Sequence, residues 1–360
     1  MPPSSTTPPL ALISSPRFHR RTTLSTAHGP LTISFADIGC ATGPALLFLP
    51  GMFASRYLGT PMHILAERAG VRLLVIDRPG MGTSTDVPLA QRIDVWVDML
   101  PQLLGQLDIP RVSLVAHSAG AIYLLNTLVR CRAVVRPAVF FLAPWVDPAH
   151  SRVTAMQIAQ YLPIKAFSMW HHIPRFFVTQ ASPVLASSGA VMRRVSSSRA
   201  STSQTGEEDR TFLDANWRRV ERDYGVSREE SAELTRLAVN SMFAENTVGA
   251  NSEALQCLRK GDGADWGVYS DYGSCVRALG GSGQAGLAGG GVISRTYFAA
   301  QDALVGSRGQ RYFEEGWKAQ GVQGVEFFSR VIDGTDHDTV IQSVEVWEEI
   351  LTLVAEDSGL

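Results

Sequence analysis

The chain is poor in several features that would narrow its function at once. Its 360 residues include only four cysteines, Cys40, Cys131, Cys257 and Cys275. They lie far apart, with no C-x-x-C pair and no metal-type spacing, which argues against a disulfide framework and reads as free, buried thiols in a reducing compartment. No run approaches the roughly 18 to 20 apolar residues that span a bilayer, and Leu10 to Ile13 is too brief for a signal-peptide core. Neither sign of charge dominates. With 32 basic against 34 acidic residues and a net charge of -2, nothing calls for nucleic acid or an anionic membrane as partner. Acidic residues are missing before Asp37, where Arg17, Arg20 and Arg21 stand among Ser and Thr. That composition resembles a mitochondrial transit peptide, but no amphipathic helix is evident, so residues 1–20 read as a disordered tail and the chain as cytoplasmic, with mitochondrial targeting the alternative. The terminal Ser-Gly-Leu lacks the basic middle residue of a peroxisomal signal. The glycine-rich segment Gly280 to Gly291 lacks a strand leading in and a helix leading out, so it is a flexible connector and no phosphate cradle. No internal repeat is visible.

What the chain does have is apolar material, 45% of its residues, enough for one large α/β domain with an insertion. Two alternating segments, Arg21 to Thr26 and Leu31 to Ala36, precede compact apolar runs at Ala45 to Leu49, Arg72 to Ile76, Val112 to Val115 and Ala138 to Ala143. Helix-period segments lie between them near Ala54 to Ala69, Leu89 to Leu107 and Ala119 to Val129. Short buried strands separated by helices define a doubly wound, mostly parallel sheet. From Asp147 to about Ala278 the strand rhythm stops and helices broken by a polar stretch, Ser196 to Arg210, take over. Strand-like runs resume at Ile293 to Ala299 and Val325 to Ile332, and an amphipathic helix at Ile341 to Ala355 closes the chain. The predicted core is therefore 21–147 with 279–360, and 148–278 is a helical insertion.

Chemistry concentrates at Ala116-His117-Ser118-Ala119-Gly120, which follows a strand and opens a helix. A serine at such a turn sits on a strained backbone, and its neighbours two residues away must be small, as Ala116 and Gly120 are. A serine hydroxyl needs an imidazole to take its proton. Of the eight histidines, His19 and His28 lie in the tail or first strand, and His63 lies in a helix. His117 flanks the serine and points elsewhere, and His150, His171 and His172 belong to the insertion. His337 is left, in the loop after the last strand. The orienting acid should lie between serine and histidine. Asp302, in the turn after the strand containing Thr296 to Ala300, is favoured over Asp147, which reads as a cap for the first helix of the insertion. Asp336 and Asp338 read as loop and cap residues that would raise the basicity of His337. Oxyanion donors are expected from the backbone N–H groups of Ala119, at the helix start, and Met52, in the loop after the central strand.

Together, Leu49-Pro50-Gly51-Met52, Asp77-Arg78-Pro79-Gly80-Met81-Gly82-Thr83-Ser84, the serine pentad, Asp302 and His337 resemble the α/β-hydrolase superfamily, in order and from about residue 30 to 355. The resemblance implies an eight-stranded, mostly parallel sheet with helices on both faces, a helical cap at about 148–278 and no cofactor. It also marks the Asp77 to Ser84 loop as a structural support for the floor of the site. Two departures stand out: Pro50 replaces the usual His before Gly51, and Ala116 replaces the first Gly of the pentad. Relatives that open epoxides or remove halides use an aspartate nucleophile, which Ser118 disfavours.

The dense aromatic stretch Phe167 to Phe177, with Trp170 and Phe176, would line an apolar substrate pocket together with Phe53 or else pack the cap. His171 and His172 lack further ligands at suitable spacing, so no metal is expected. The expected function is hydrolysis of a small carboxylic ester or thioester through an acyl-enzyme. The alternatives are carbon–carbon bond hydrolysis or lactone formation on the same residues, and a non-catalytic ligand-binding role.

Overall fold

A computed structural model describes residues 7–169, 205–280, 291–319 and 324–357. Eight strands form one sheet: β1 (Arg20–Thr26), β2 (Gly29–Gly39), β3 (Ala45–Leu49), β4 (Arg72–Ile76), β5 (Val112–His117), β6 (Val135–Leu142), β7 (Val292–Gln301) and β8 (Val325–Asp336). Their order is β1-β2-β4-β3-β5-β6-β7-β8. The first two pairings, β1 with β2 and β2 with β4, are antiparallel, and every later one is parallel. The sheet is the mostly parallel, doubly wound one that the apolar runs imply. β3 and β5 are buried along their whole length, which is why they read as continuous apolar runs.

Helices cover both faces. On one side pack α3 (Arg92–Gln106), α4 (Gly120–Arg130), α10 (Tyr272–Gly280) and α11 (Gly306–Lys318). Trp96, Met99, Leu100, Leu103 and Leu104 recur at helical spacing and seal α3 onto the sheet. On the other side lie α2 (His63–Arg68) and α12 (Val344–Glu356), whose Trp347, Ile350 and Val354 are fully buried.

Within the disordered tail expected at 1–20, residues 9–18 are ordered; residues 1–6 lie outside the described residues. Residues 9–13 form a short helix α1 (Pro9–Ile13), and a 3₁₀ turn follows at Pro16–Phe18. Phe18 is completely buried in the core on the α2 and α12 side of the sheet, and Arg17 Nε donates to the Asp37 carbonyl at 2.8 Å. One buried phenyl ring anchors a segment whose polar composition otherwise hides it. A second correction concerns the region after β3, where residues 56–62 form a 3₁₀ stretch with Pro61 inside it, and an α-helix begins only at His63. A third concerns Cys40, which is partly exposed, whereas Cys131, Cys257 and Cys275 are buried; all four are unpaired.

Between residues 148 and 278 the described residues form helices: α5 (Pro148–Ser151), α6 (Thr154–Tyr161), α7 (Thr205–Tyr224), α8 (Arg228–Ala244) and α9 (Gly249–Cys257), then α10. Ser227 and Glu230 form a reciprocal cap at the start of α8. Ion pairs are among the contacts that tie the return of this insertion to the body. Arg56 pairs with buried Asp77 and with Glu245, and Arg78 pairs with Glu253 on α9. Residues 281–290 of the glycine-rich connector and most of the aromatic stretch, Trp170 and Phe176 included, lie outside the described residues.

Candidate active site

In an open parallel sheet, ligands sit at the carboxyl ends of the strands where the strand order reverses. Here that point is β3, flanked by β4 and β5, and the loops leaving β3 and β5 carry Pro50 to Phe53 and Ser118. Ser118 has a φ of +49°, a left-handed conformation rarely held by a side chain that is not glycine. The turn is held by Ser118 N–H donating to Leu142 O at 3.0 Å and by Trp145 N–H donating to Ser118 O at 3.0 Å. A Cβ at Gly120 would stand 2.0 Å from Leu49 O, so only glycine lets α4 start this close to β3.

The structure brings three of the expected residues together. His337 Nε2 lies 2.7 Å from Ser118 Oγ, and His337 Nδ1 lies 2.8 Å from Asp302 Oδ2. The other oxygen of Asp302 accepts N–H bonds from Leu304 at 2.9 Å and Val305 at 2.8 Å. Burial alone would raise the Asp302 carboxyl, but the charge and hydrogen bond of His337, with these two N–H groups, outweigh it and hold the carboxyl below its ordinary value. For His337 burial again opposes the charged form. The facing Asp302 charge and hydrogen bond, with smaller contributions from Asp338 and Asp336, prevail and raise the imidazole to about 9. Asp147, the rival acid, is engaged elsewhere: its carboxylate caps α5 by accepting from Ala149 N–H at 2.8 Å and pairs with Arg259 at 3.2 Å.

Met52 and Ala119 flank this group. Neither backbone N–H donates a hydrogen bond among the described residues, and Ala119 stands at the N-terminus of α4, where the helix dipole favours negative charge. The loop bearing Met52 lies against the serine turn, since a Cβ at Gly51 would come within 3.2 Å of Ser118 Cβ and 3.0 Å of His117 Nδ1. Phe53 is partly buried and left-handed, with a φ of +67°, and its N–H is taken by Glu253 at 3.2 Å.

Three residues bear on the site in ways the sequence did not assign: His117 and Glu253, given no part in it, and Arg78, marked only as part of a supporting loop. His117 does not point elsewhere: its Nε2 donates to the His337 carbonyl at 2.8 Å, and the two rings stand 5.3 Å apart. A carbonyl only accepts, so Nε2 carries the proton and the ring is fixed in one tautomer. Burial first, and then the His337 charge, lower His117 to about 3, which keeps a second cation away from His337. Arg78 and Glu253 hold the loop around Met52. The position of Arg78 in the Asp77 to Ser84 segment marked it as structural, whereas no local signal distinguishes Glu253. Among the described residues no group of His, Cys, Asp and Glu is arranged to hold a metal ion, and no helix is long and apolar enough to cross a membrane.

The chain matches the alpha/beta hydrolase family over residues 46–349 and belongs to it. No characterised protein matches it in sequence. Among solved structures it is similar to a carboxylesterase of the thaumarchaeon Nitrososphaera gargenis, with a TM-score of 0.56 and 15% identity over 94% of this chain and 99% of that one. It is also similar to a thermophilic esterase of Thermogutta terrifontis (TM-score 0.53, 14% identity, 94% and 99% covered). A bromoperoxidase of Bacillus anthracis is similar as well (TM-score 0.52, 15% identity, 94% and 100% covered). Neighbours with such different names show a shared fold, and the reaction has to be argued from the site.

Proposed function

We propose that this chain is a serine hydrolase that cleaves a carboxylic ester or thioester of a small, apolar substrate through an acyl-enzyme. The observation that carries this reading is the unbroken hydrogen-bond line from Ser118 through His337 to Asp302, at 2.7 and 2.8 Å. From the form in which His337 is neutral, the smaller fraction below about pH 9, Ser118 Oγ attacks the carbonyl carbon as its proton passes to His337 Nε2, and Asp302 keeps Nδ1 protonated and the ring oriented. The carbonyl oxygen becomes an oxyanion that accepts from the N–H groups of Met52 and Ala119, each such donor being worth about 3 to 4 kcal/mol of barrier. His337 returns the proton to the departing alcohol or thiol. A water molecule then repeats the sequence on the acyl-enzyme and frees the acid.

The apolar preference rests on what adjoins Met52. Phe167, from the 3₁₀ turn after α6, is buried with Ala159, Ala254 and Leu258, and Met52 packs against this cluster. A helical cap over residues 148–278 would thereby supply one wall of the substrate pocket, with Phe53 beside it and Trp170 and Phe176 as further candidates.

The test compares wild type with Ser118→Ala, using a fluorophosphonate probe and p-nitrophenyl esters of increasing chain length. Labelling and turnover should both be lost in Ser118→Ala, with a preference for short or medium chains. A folded wild type that neither labels nor turns over any ester would sink the proposal.

A further inference from the structure

Met52 N–H is half of the peptide unit joining Gly51 to Met52. In a trans peptide the C=O and N–H point in opposite directions, so whatever holds Gly51 O also aims the Met52 N–H. Gly51 O is held by Arg78 Nη2 at 2.5 Å, and the preceding carbonyl, Pro50 O, by Arg78 Nη1 at 2.6 Å. The same guanidinium donates from Nε to Glu253 Oε1 at 2.5 Å and from Nη2 to Oε2 at 3.0 Å. Glu253 Oε2 then accepts Phe53 N–H at 3.2 Å. One ion pair thus holds the backbone groups on both sides of Met52 and leaves the Met52 N–H itself uncommitted among the described residues. Both side chains are almost fully buried, at 2% and 3% exposure, where such bonds are strong and geometrically strict. They also hold Phe53 in its left-handed conformation, which a residue with a Cβ adopts at a cost.

We infer that Arg78 and Glu253 are a positioning pair that aims the Met52 N–H at the developing oxyanion, and that through Glu253 the helix α9 of the insertion is a structural part of the catalytic loop. This rests on the hydrolase reading above for its chemistry and extends it to residues that touch no substrate atom. The planar fork of Arg78 reaches two carbonyls and a carboxylate at once, and a lysine ammonium at that position keeps the charge without the fork.

The experiment uses Arg78→Lys, which preserves buried charge, together with Glu253→Gln and Glu253→Asp. Three quantities are read: ester kinetics, the fluorophosphonate labelling rate of Ser118, and amide hydrogen exchange of the peptide covering residues 49–55. A loop displaced by a fraction of an ångström should lower kcat by about 10- to 100-fold, leave KM within about twofold, slow labelling by a similar factor and speed exchange across 49–55. Glu253→Asp should recover part of each. If Arg78→Lys and Glu253→Gln fold with lower melting temperatures while kcat, labelling and loop exchange stay at wild-type values, the pair is only a structural tie and the inference fails. Should wild type itself fail to label, the hydrolase reading falls separately. Loop exchange still decides the present point, faster exchange in the variants supporting the positioning role and unchanged exchange overturning it.

Discussion

Two imidazoles in van der Waals reach of each other are held in opposite protonation preferences. His117 is pushed to about 3 and His337 raised to about 9 from a common starting value of 6.5. The linkage has a definite sign for each. The unfolded chain takes up a proton at His117 as pH falls through about 6.5 while the folded chain refuses it until about 3, so stability is lost over that interval. His337 works the other way: its contribution is fully present below about 6.5 and is lost as pH rises through about 9. His117→Gln, whose side-chain amide can donate to the His337 carbonyl in place of Nε2, removes only the first effect. Urea unfolding of both proteins should show the wild type gaining on the variant as pH rises from about 3 to 6.5, then a constant difference. A difference independent of pH would contradict a neutral, buried His117.

The strand β5, the serine turn and helix α4 act as one element, and glycine is needed in it for a stated reason at one place. Gly120→Ala would put a methyl group 2.0 Å from Leu49 O and 2.9 Å from Pro50 O. Backbone atoms cannot yield as a side-chain tip does, so the change should cost about 3 kcal/mol, the upper end of typical overpacking, and should displace the loop carrying Met52. Gly105→Ala in α3 is the contrast. Nothing lies within 4 Å of its would-be Cβ, and helix propensity alone should stabilise the protein by about 0.5 to 1 kcal/mol. Thermal unfolding of the two variants in parallel checks both signs. The helices and strands that surround this element were largely legible, because β3 and β4 begin and end where their apolar runs do. The 3₁₀ stretch at 56–62 was not, since its apolar spacing resembles that of a helix and only packing around Pro61 distinguishes them.

On the scale of the whole molecule, the strand order decides which carboxylate serves His337. β7 and β8 are parallel neighbours, so the turn after β7 places Asp302 beside the loop after β8. The loop after β6 is one strand further away and delivers Asp147 to α5 and Arg259 instead. Asp302→Asn should therefore lower kcat by about 10³- to 10⁴-fold, since an amide favours the wrong imidazole tautomer. Asp147→Asn should leave kcat within a few-fold, keep the cap and lower the melting temperature only slightly, through the lost ion pair with Arg259. Comparable losses of kcat in the two variants would reverse the assignment.

The amino-acid sequence by itself determined the strand and helix segments, the small residues around Ser118, and the short lists from which Asp302 and His337 were drawn. All of these depend on periodicity or on side-chain size within a few neighbouring residues. Tertiary structure alone decided the rest. It buried Phe18, turned His117 onto the carbonyl of a residue 220 positions away, and set Glu253 against a loop 200 positions earlier. A buried polar group must find a partner wherever the fold presents one, and pairing over such separations leaves no periodic trace in the chain.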